Sequence, residues 1–156
     1  MTNWARFEEQ APEMASRIRA RFESHRHHVL ATLRSNGAPR VSGTEARISG
    51  GELWIGSMTG AVKVADLLRD GRCALHANPG DGTMTGGDAK IGGLAIDVVD
   101  PDERERIVSG DVPGGPFHLF RLEIAEAVLT SVHPDGDRLV IESWHPDRGV
   151  QAVDRY

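Results

Sequence analysis

Two glycine-containing breaks, Asn36-Gly37 and Ser49-Gly50-Gly51, divide "VLATLRSNGAPRVSGTEARISGGELWIGS" into runs that alternate apolar with polar residues and are too short to make helices. Alternation has the period of two of a half-buried strand, and Asn-Gly supplies the positive backbone angles of a tight hairpin turn. Three antiparallel strands are expected from this segment. The runs "RCALHAN", "AKIGGLAIDVV", "FHLFRLEIA", "AVLTSV" and "RLVIESW" read as further strands, which brings the number to about eight. So many short strands with small helices between them point to a mainly β fold, a closed or partly split antiparallel barrel of Greek-key-like form rather than a parallel α/β sheet.

Three stretches carry the helical period instead. In "APEMASRIRARFESHRHH", Met14, Ile18 and Phe22 recur every fourth residue behind Pro12, which suits a first helical turn, and the arginines take the other faces. A second helix places Val62, Ala65 and Leu68 on one face and closes at Asp70-Gly71. A third, "PDERERIVS", has Asp100 as its cap and Pro101 in its first position. No repeat, low-complexity tract or linker interrupts the 156 residues, so a single domain spanning 1–156 is expected.

Composition removes several functions. A net charge of -5 without a basic stripe argues against a nucleic-acid partner. Cys73 is the only cysteine, which excludes an intrachain disulfide or a four-cysteine zinc site. There is no signal-peptide core and no apolar run long enough for a bilayer, so the expected location is the cytoplasm and no membrane partner is expected. The Gly-x-Ser-x-Gly elbow, the Walker loop, the Gly-x-Gly-x-x-Gly fingerprint and the His-Glu-x-x-His zinc motif are all missing. His25, His27 and His28 fall at the end of the expected helix, where protonated histidines suit the negative end of the dipole. His76, His118, His133 and His145 share no spacing, and no metal site is assigned.

Lys63 stands out because the chain has only one other lysine, Lys90. It lies in the first turn of a helix, just after a strand that ends in Gly56, Ser57, Met58, Thr59 and Gly60. Free N–H groups of that turn, the hydroxyls of Ser57 and Thr59 and the bare backbone of Gly60 could converge with the ammonium on a phosphate. A plainer alternative has Thr59 capping the helix and Lys63 as a solvated cation, and local sequence leaves both open.

In order and spacing, "LATLRSNGAPRVS" followed by "GELWIGSMTGAVKVADLLRDGRCALH" resembles the pyridoxamine-5'-phosphate-oxidase-like family, the flavin and deazaflavin split barrels, over about residues 29–99 and more loosely to Trp144. The resemblance implies that Arg40, Val41 and Ser42 lie along the flavin edge, that Ser57, Met58 and Thr59 border the cofactor, and that Lys63 meets its phosphate. "GGDAKIGGLAIDVV" is similar to the family strand that returns across a dimer interface beside the isoalloxazine ring, which places Lys90 and implies a homodimer with cofactor sites between subunits. Trp144 is expected to close over cofactor or substrate. The chain departs from the family pattern at two places. Gly43, Thr44 and Glu45 replace the proline and aromatic residue common in the family, and the ending "ESWHPDRGVQAVDRY" has no Arg-Leu-x-Pro motif, so vitamin B6 oxidation is not implied.

The resemblance implies an FMN-binding oxidoreductase that passes hydride between the flavin and a small conjugated acceptor, with the chemistry belonging to the cofactor and orientation to the protein. The deazaflavin F-420 is the alternative cofactor, and its acidic tail would draw on Arg17, Arg19 and Arg21. A carrier that holds flavin or haem without turnover, and an empty barrel acting through protein contacts, are the remaining readings.

Overall fold

The structure, a computed structural model, describes residues 1–108 and 115–156. Two helices, α1 (Trp4–Gln10) and α2 (Pro12–Glu23), lead into β1 (His27–Leu33), β2 (Pro39–Glu45), β3 (Arg47–Ser49) and β4 (Glu52–Met58). Then come α3 (Val62–Arg69), β5 (Arg72–His76), β6 (Asp88–Asp97), α4 (Pro101–Ile107), β7 (Phe117–Val132), β8 (Leu139–His145) and β9 (Gly149–Arg155). Every strand pairing is antiparallel, in the order β2-β1-β5-β6-β7-β4-β3, with β8 and β9 extending from β7. The mainly β split barrel expected from the strand pattern is therefore the observed architecture.

Alternation fixes which face of each strand turns inward. Leu30, Ile55, Leu75, Ile91 and Leu129 point into one core and meet Phe7, Met14, Ile18 and Phe22 of the two N-terminal helices. Each such side chain stabilises the fold by roughly 1.5–3 kcal/mol when fully buried. The β1–β2 turn closes through Arg34 and Ala38, with Gly37 at φ 84° accepting the left-handed conformation that the Asn-Gly signal foretold. Asp100 caps α4 as expected, its carboxylate accepting the N–H groups of Asp102 and Glu103; Ser109, the last residue of the expected third helix, lies outside the described residues. Among the described residues no helix is long and apolar enough to cross a membrane.

Several expectations are corrected. "FHLFRLEIA" and "AVLTSV" are one strand, the 16-residue β7, because its inward parity changes midway: Leu122 and Ile124 are buried before the change, Ala127 and Leu129 after it. The register shift opposite Gly92 and Gly93 absorbs Ala125 as a bulge, so a change of parity imitated a strand boundary. A Cβ on Gly93 would strike the carbonyl of Glu123, which is why glycine stands there. In α3 the buried residues are Val64, Asp66 and Leu67, whereas Val62, Ala65 and Leu68 are exposed; a short helix with apolar residues on both faces was settled by the bonds of Asp66.

The helix α2 ends before the histidines, and His27 and His28 belong to β1 rather than to a helix terminus. His28 is buried, its Nδ1 accepts the N–H of Asn78 at 2.9 Å, and burial lowers its pKa. The elements α1 and β9 were not anticipated. Asn3 caps α1 by accepting the N–H of Arg6 at 2.9 Å, and the helix buries only Trp4 and Phe7. Every residue of β9 is exposed, so it shows no inward-facing pattern to read.

Candidate functional site

The chain leaves β4 at Met58 and enters α3 at Val62, and this junction opens a cleft of about 370 Å³ on the outer side of the sheet. Its walls include His27, Gly43, Glu45, Ser57, Met58 and Lys63. The residue that caps α3 is Ala61, with no side-chain cap, so the helix starts with its N–H groups unclaimed by Thr59. Thr59 itself is exposed. Lys63 reaches across to β2, where Nζ donates to the carbonyl of Gly43 at 2.8 Å. Burial lowers its pKa, and among the described residues no carboxylate lies within ion-pair distance of it. An ammonium has three donors, so a half-buried lysine with one neutral acceptor is short of an anion. Ser57, 8% exposed, stands in the same wall with its hydroxyl.

Across the cleft, Glu45 is held by arginines: Arg47 Nη2 lies 3.4 Å and Arg26 Nε 3.7 Å from its carboxylate. Its Cα partner on β1 is His27. Sequence reasoning gave neither residue a part in the site, although the period of two of β2 puts Glu45 on the same outer face as Gly43, and the register brings His27 beside it.

The residues expected along the flavin edge divide between the two faces of β2. Arg40 is not in the cleft: its Nε donates to Asp66 Oδ2 at 2.7 Å, an oxygen that also accepts from Thr32 Oγ1 at 2.7 Å, while Arg69 Nη2 donates to Asp66 Oδ1 at 3.0 Å. Burial alone pushes the Asp66 carboxyl upward, but these bonds outweigh it and hold the pKa at about 2. Arg40 thus ties α3 to the sheet, and Ser42 alternates with it on the same side of the strand. Val41 points outward, 69% exposed, into a second cleft of about 320 Å³ that also holds Val29, Ala31, His76 and Lys90.

The two clefts adjoin on one face of β1 and β2. Outward residues run His27, Val29, Ala31 on β1 and Glu45, Gly43, Val41 on β2, each step about 7 Å along one face, so the Lys63 end leads directly into the apolar cleft. The expectation for Trp144 is corrected: it is fully buried, its ring centroid 4.6 Å from that of Phe7, and it reaches neither cleft. Arg17, Arg19 and Arg21 are engaged elsewhere, Arg17 with Glu142 at 2.7 Å, Arg19 with Glu8 and Glu23, and Arg21 with the carbonyl of Thr85 at 2.8 Å.

Among the described residues His133, Asp135 and Asp137 bring possible metal-ligand atoms within 4.8 Å of one another. The guanidinium of Arg138 already lies among them, donating to Asp137 at 2.7 Å and meeting His133 Nε2 at 2.8 Å. That grouping is an ion-pair cluster of the β7–β8 turn. The Lys63 cleft has a different character, since a helix start without a side-chain cap, an ammonium with no counter-ion among the described residues and a serine hydroxyl suit a phosphate, and the adjoining apolar surface suits a planar ring.

No protein-family model matches the sequence, and no curated protein sequence matches it. Solved structures do. A pyridoxamine 5'-phosphate oxidase-related, FMN-binding protein from Nostoc punctiforme PCC 73102 is 12% identical and superposes with a TM-score of 0.63, over 94% of this chain and 96% of that one. PhzG from Burkholderia lata 383, solved in complex with tetrahydrophenazine-1-carboxylic acid, is 15% identical with a TM-score of 0.60, over 96% of this chain and 91% of PhzG. A haem-binding protein from Mycobacterium smegmatis is 16% identical with a TM-score of 0.55 over 92% of this chain, but only 58% of its own length is matched. At these identities what is shared is the backbone, and the chain has the split-barrel fold of the pyridoxamine 5'-phosphate oxidase-related proteins.

Proposed function

We propose that this chain is an FMN-binding oxidoreductase of the cytoplasm in which Lys63 and the start of α3 hold the phosphate and the outer faces of β1 and β2 bed the ring. The observation that carries the reading is Lys63, a half-buried ammonium that among the described residues bonds only to the Gly43 carbonyl, at 2.8 Å, beside a helix start without a side-chain cap. A dianion there restores the donors that burial leaves idle. Val29, Ala31 and Val41 present an apolar floor that excludes water from one side of a planar group. When bound, FMN would supply the hydride chemistry; the residues bind, orient and desolvate.

FMN is favoured over the deazaflavin because Arg17, Arg19 and Arg21, the cations that an acidic tail would need, already bond to other groups of the chain. The FMN-binding relative of the same fold supports the choice. The competing carrier reading, for flavin or haem, predicts binding without turnover. The test is the absorption spectrum of freshly purified protein, followed by FMN titration and an acceptor panel. A flavin spectrum, or saturable FMN binding, together with reduction of a conjugated acceptor is expected; a colourless protein that binds no FMN sinks the reading, and tight binding without turnover favours the carrier.

The same reading makes the protein a homodimer with its sites at the subunit interface. Val41 and Val29, 69% and 39% exposed, make the outer face of β1 and β2 more apolar than a solvated sheet face would be. Sedimentation equilibrium at micromolar concentration is expected to give twice the chain mass, and a monomer that still binds FMN would refute the dimer.

A further inference from the structure

The loop between β5 and β6, residues 77–87, is fastened near its start by one asparagine. Asn78 donates its N–H to His28 Nδ1 at 2.9 Å and its Nδ2 to the carbonyl of His27 at 3.0 Å, while its Oδ1 accepts the N–H of Gly80 at 2.9 Å. Arg21 of α2 holds the loop at both ends, donating to the carbonyl of Asn78 at 3.5 Å and to that of Thr85 at 2.8 Å. Loop and helix form the walls of a cleft of about 700 Å³ that Ser24, Val132 and Pro134 also border. Inside the loop Met84 stands at φ 59°, a left-handed conformation that is unfavourable for a residue with a side chain, so the closed form has few bonds to spare.

Of the groups that fasten the loop, His28 is the one that titrates near neutral pH. Its ring is buried, 2% exposed, with Phe22 packed edge-on at 5.0 Å. The N–H of Asn78 only donates, so Nδ1 is the bare nitrogen and the single proton of the neutral ring is on Nε2. A second proton, taken from water, has only Nδ1 to go to, and there it sets a donor against a donor. The new charge meets no acid. Glu23 pairs with Arg19, Glu45 with Arg26 and Arg47, and Asp81 accepts from Thr83; among the described residues no carboxylate lies within ion-pair distance of His28. The other titratable or cationic groups on the elements around it are Arg21, His25, Arg26, His27 and His76, and its Cα partner on β2 is the neutral Thr44.

We propose that His28 is a proton switch for this loop, holding residues 78–87 against β1 and α2 while it is neutral and releasing them when Nδ1 takes a proton. Release frees Arg21 from two carbonyls and widens the cleft beside it. Burial keeps the pKa of the closed form below the ordinary imidazole value, with the Phe22 backbone opposing this and His25 and His27 adding to it, whereas a ring reached by water returns toward the ordinary value. Opening is therefore favoured as the pH falls from that ordinary value toward the lowered one, by up to about tenfold per pH unit for one proton. His28 lies on the face of β1 opposite Val29, so the switch is independent of the FMN reading.

Amide hydrogen exchange of the purified protein, followed by NMR from about pH 7.5 to 5 and corrected for the intrinsic rate at each pH, reads the loop directly. Protection of the Asn78, Gly80 and Gly87 amides is expected to fall by up to about tenfold per pH unit, while that of Ala95 and Val98, bonded to Gly71 and Leu119, stays level. His28→Asn, whose side-chain oxygen reaches the place of Nδ1 and does not titrate, should flatten the loop profile. If that variant melts early, His28→Gln replaces it, and the wild type still carries its own check: the imidazole N–H correlations should show the proton on Nε2 at neutral pH and on both nitrogens once the loop opens. Loop protection that is level with pH in the wild type, a fall shared equally by Ala95 and Val98, the same slope in a folded variant, or a neutral ring protonated on Nδ1 would each overturn the switch.

Discussion

Lys63→Ala is expected to weaken FMN binding by about 10- to 150-fold, the loss of roughly 1.5–3 kcal/mol for a charge-assisted hydrogen bond to a phosphate. Its effect on folding should run the other way. Burial holds the Lys63 pKa below the usual lysine value, so the folded chain binds this proton less readily than the unfolded chain does. The charged lysine therefore opposes folding at neutral pH, and that opposition disappears as the pH rises past the unfolded value. Alanine removes it, and the melting temperature of the variant should equal or slightly exceed that of the wild type. Bound phosphate reverses the shift by favouring the ammonium, so FMN affinity in the wild type should fall at alkaline pH as Lys63 loses its proton. Equilibrium titrations of FMN into both proteins across this range, each with a melting curve, make the check; an unchanged dissociation constant returns Lys63 to the role of a solvated cation.

How far the sequence reached depended on how local each signal was. The Asn36-Gly37 hairpin, the capped start at Asp100 and the place of Lys63 in the first turn of a helix each follow from a few neighbouring residues, and the structure has the hairpin, the cap and a cleft at Lys63. Failures came where a distant partner decided. The identity of the buried face of α3 depends on Thr32 and Arg40, which lie on other strands and draw Asp66 inward. The continuity of β7 depends on a bulge against β6 that period-two reading cannot distinguish from a strand end. Trp144 looked available at a strand end, but its fate was set by Phe7, in a helix the sequence pattern did not reveal. Arg40 sits at a position that the family resemblance assigns to the ring, and its bond to Asp66 gives it a visible structural role that no short motif announces.

That bond leads to the largest expected effect on stability. The Asp66 carboxylate, 3% exposed, receives Thr32, Arg40 and Arg69 together, and Arg69 also donates to the carbonyl of Leu33 at 2.7 Å, so one side chain fastens α3 to both β1 and β2. Asp66→Ala leaves two guanidinium groups and a buried hydroxyl without their acceptor, and removing one partner of a buried pair destabilises by about 3–5 kcal/mol. Asp66→Asn, which keeps the shape and one acceptor oxygen, should lose less. Since Lys63 lies on the same short helix, loosening its anchor should also weaken FMN binding in Asp66→Ala, an effect at a distance that Arg40→Ala should reproduce in part. The pH dependence comes from the sign of the shift: the folded pKa of about 2 lies below the ordinary carboxylate value near 4, so the stabilisation is complete above that ordinary value and is lost as the pH falls toward and through 2. Asp70, held at about 2 chiefly by the side chain of Arg72, titrates in the same window from a half-buried position, and Asp70→Asn is the control for its share. Denaturant melts from pH 5 to pH 2 should show the wild type losing stability steeply while Asp66→Asn falls more gently. Parallel curves for the two proteins would mean that the Asp66 carboxylate does not hold α3 to the sheet.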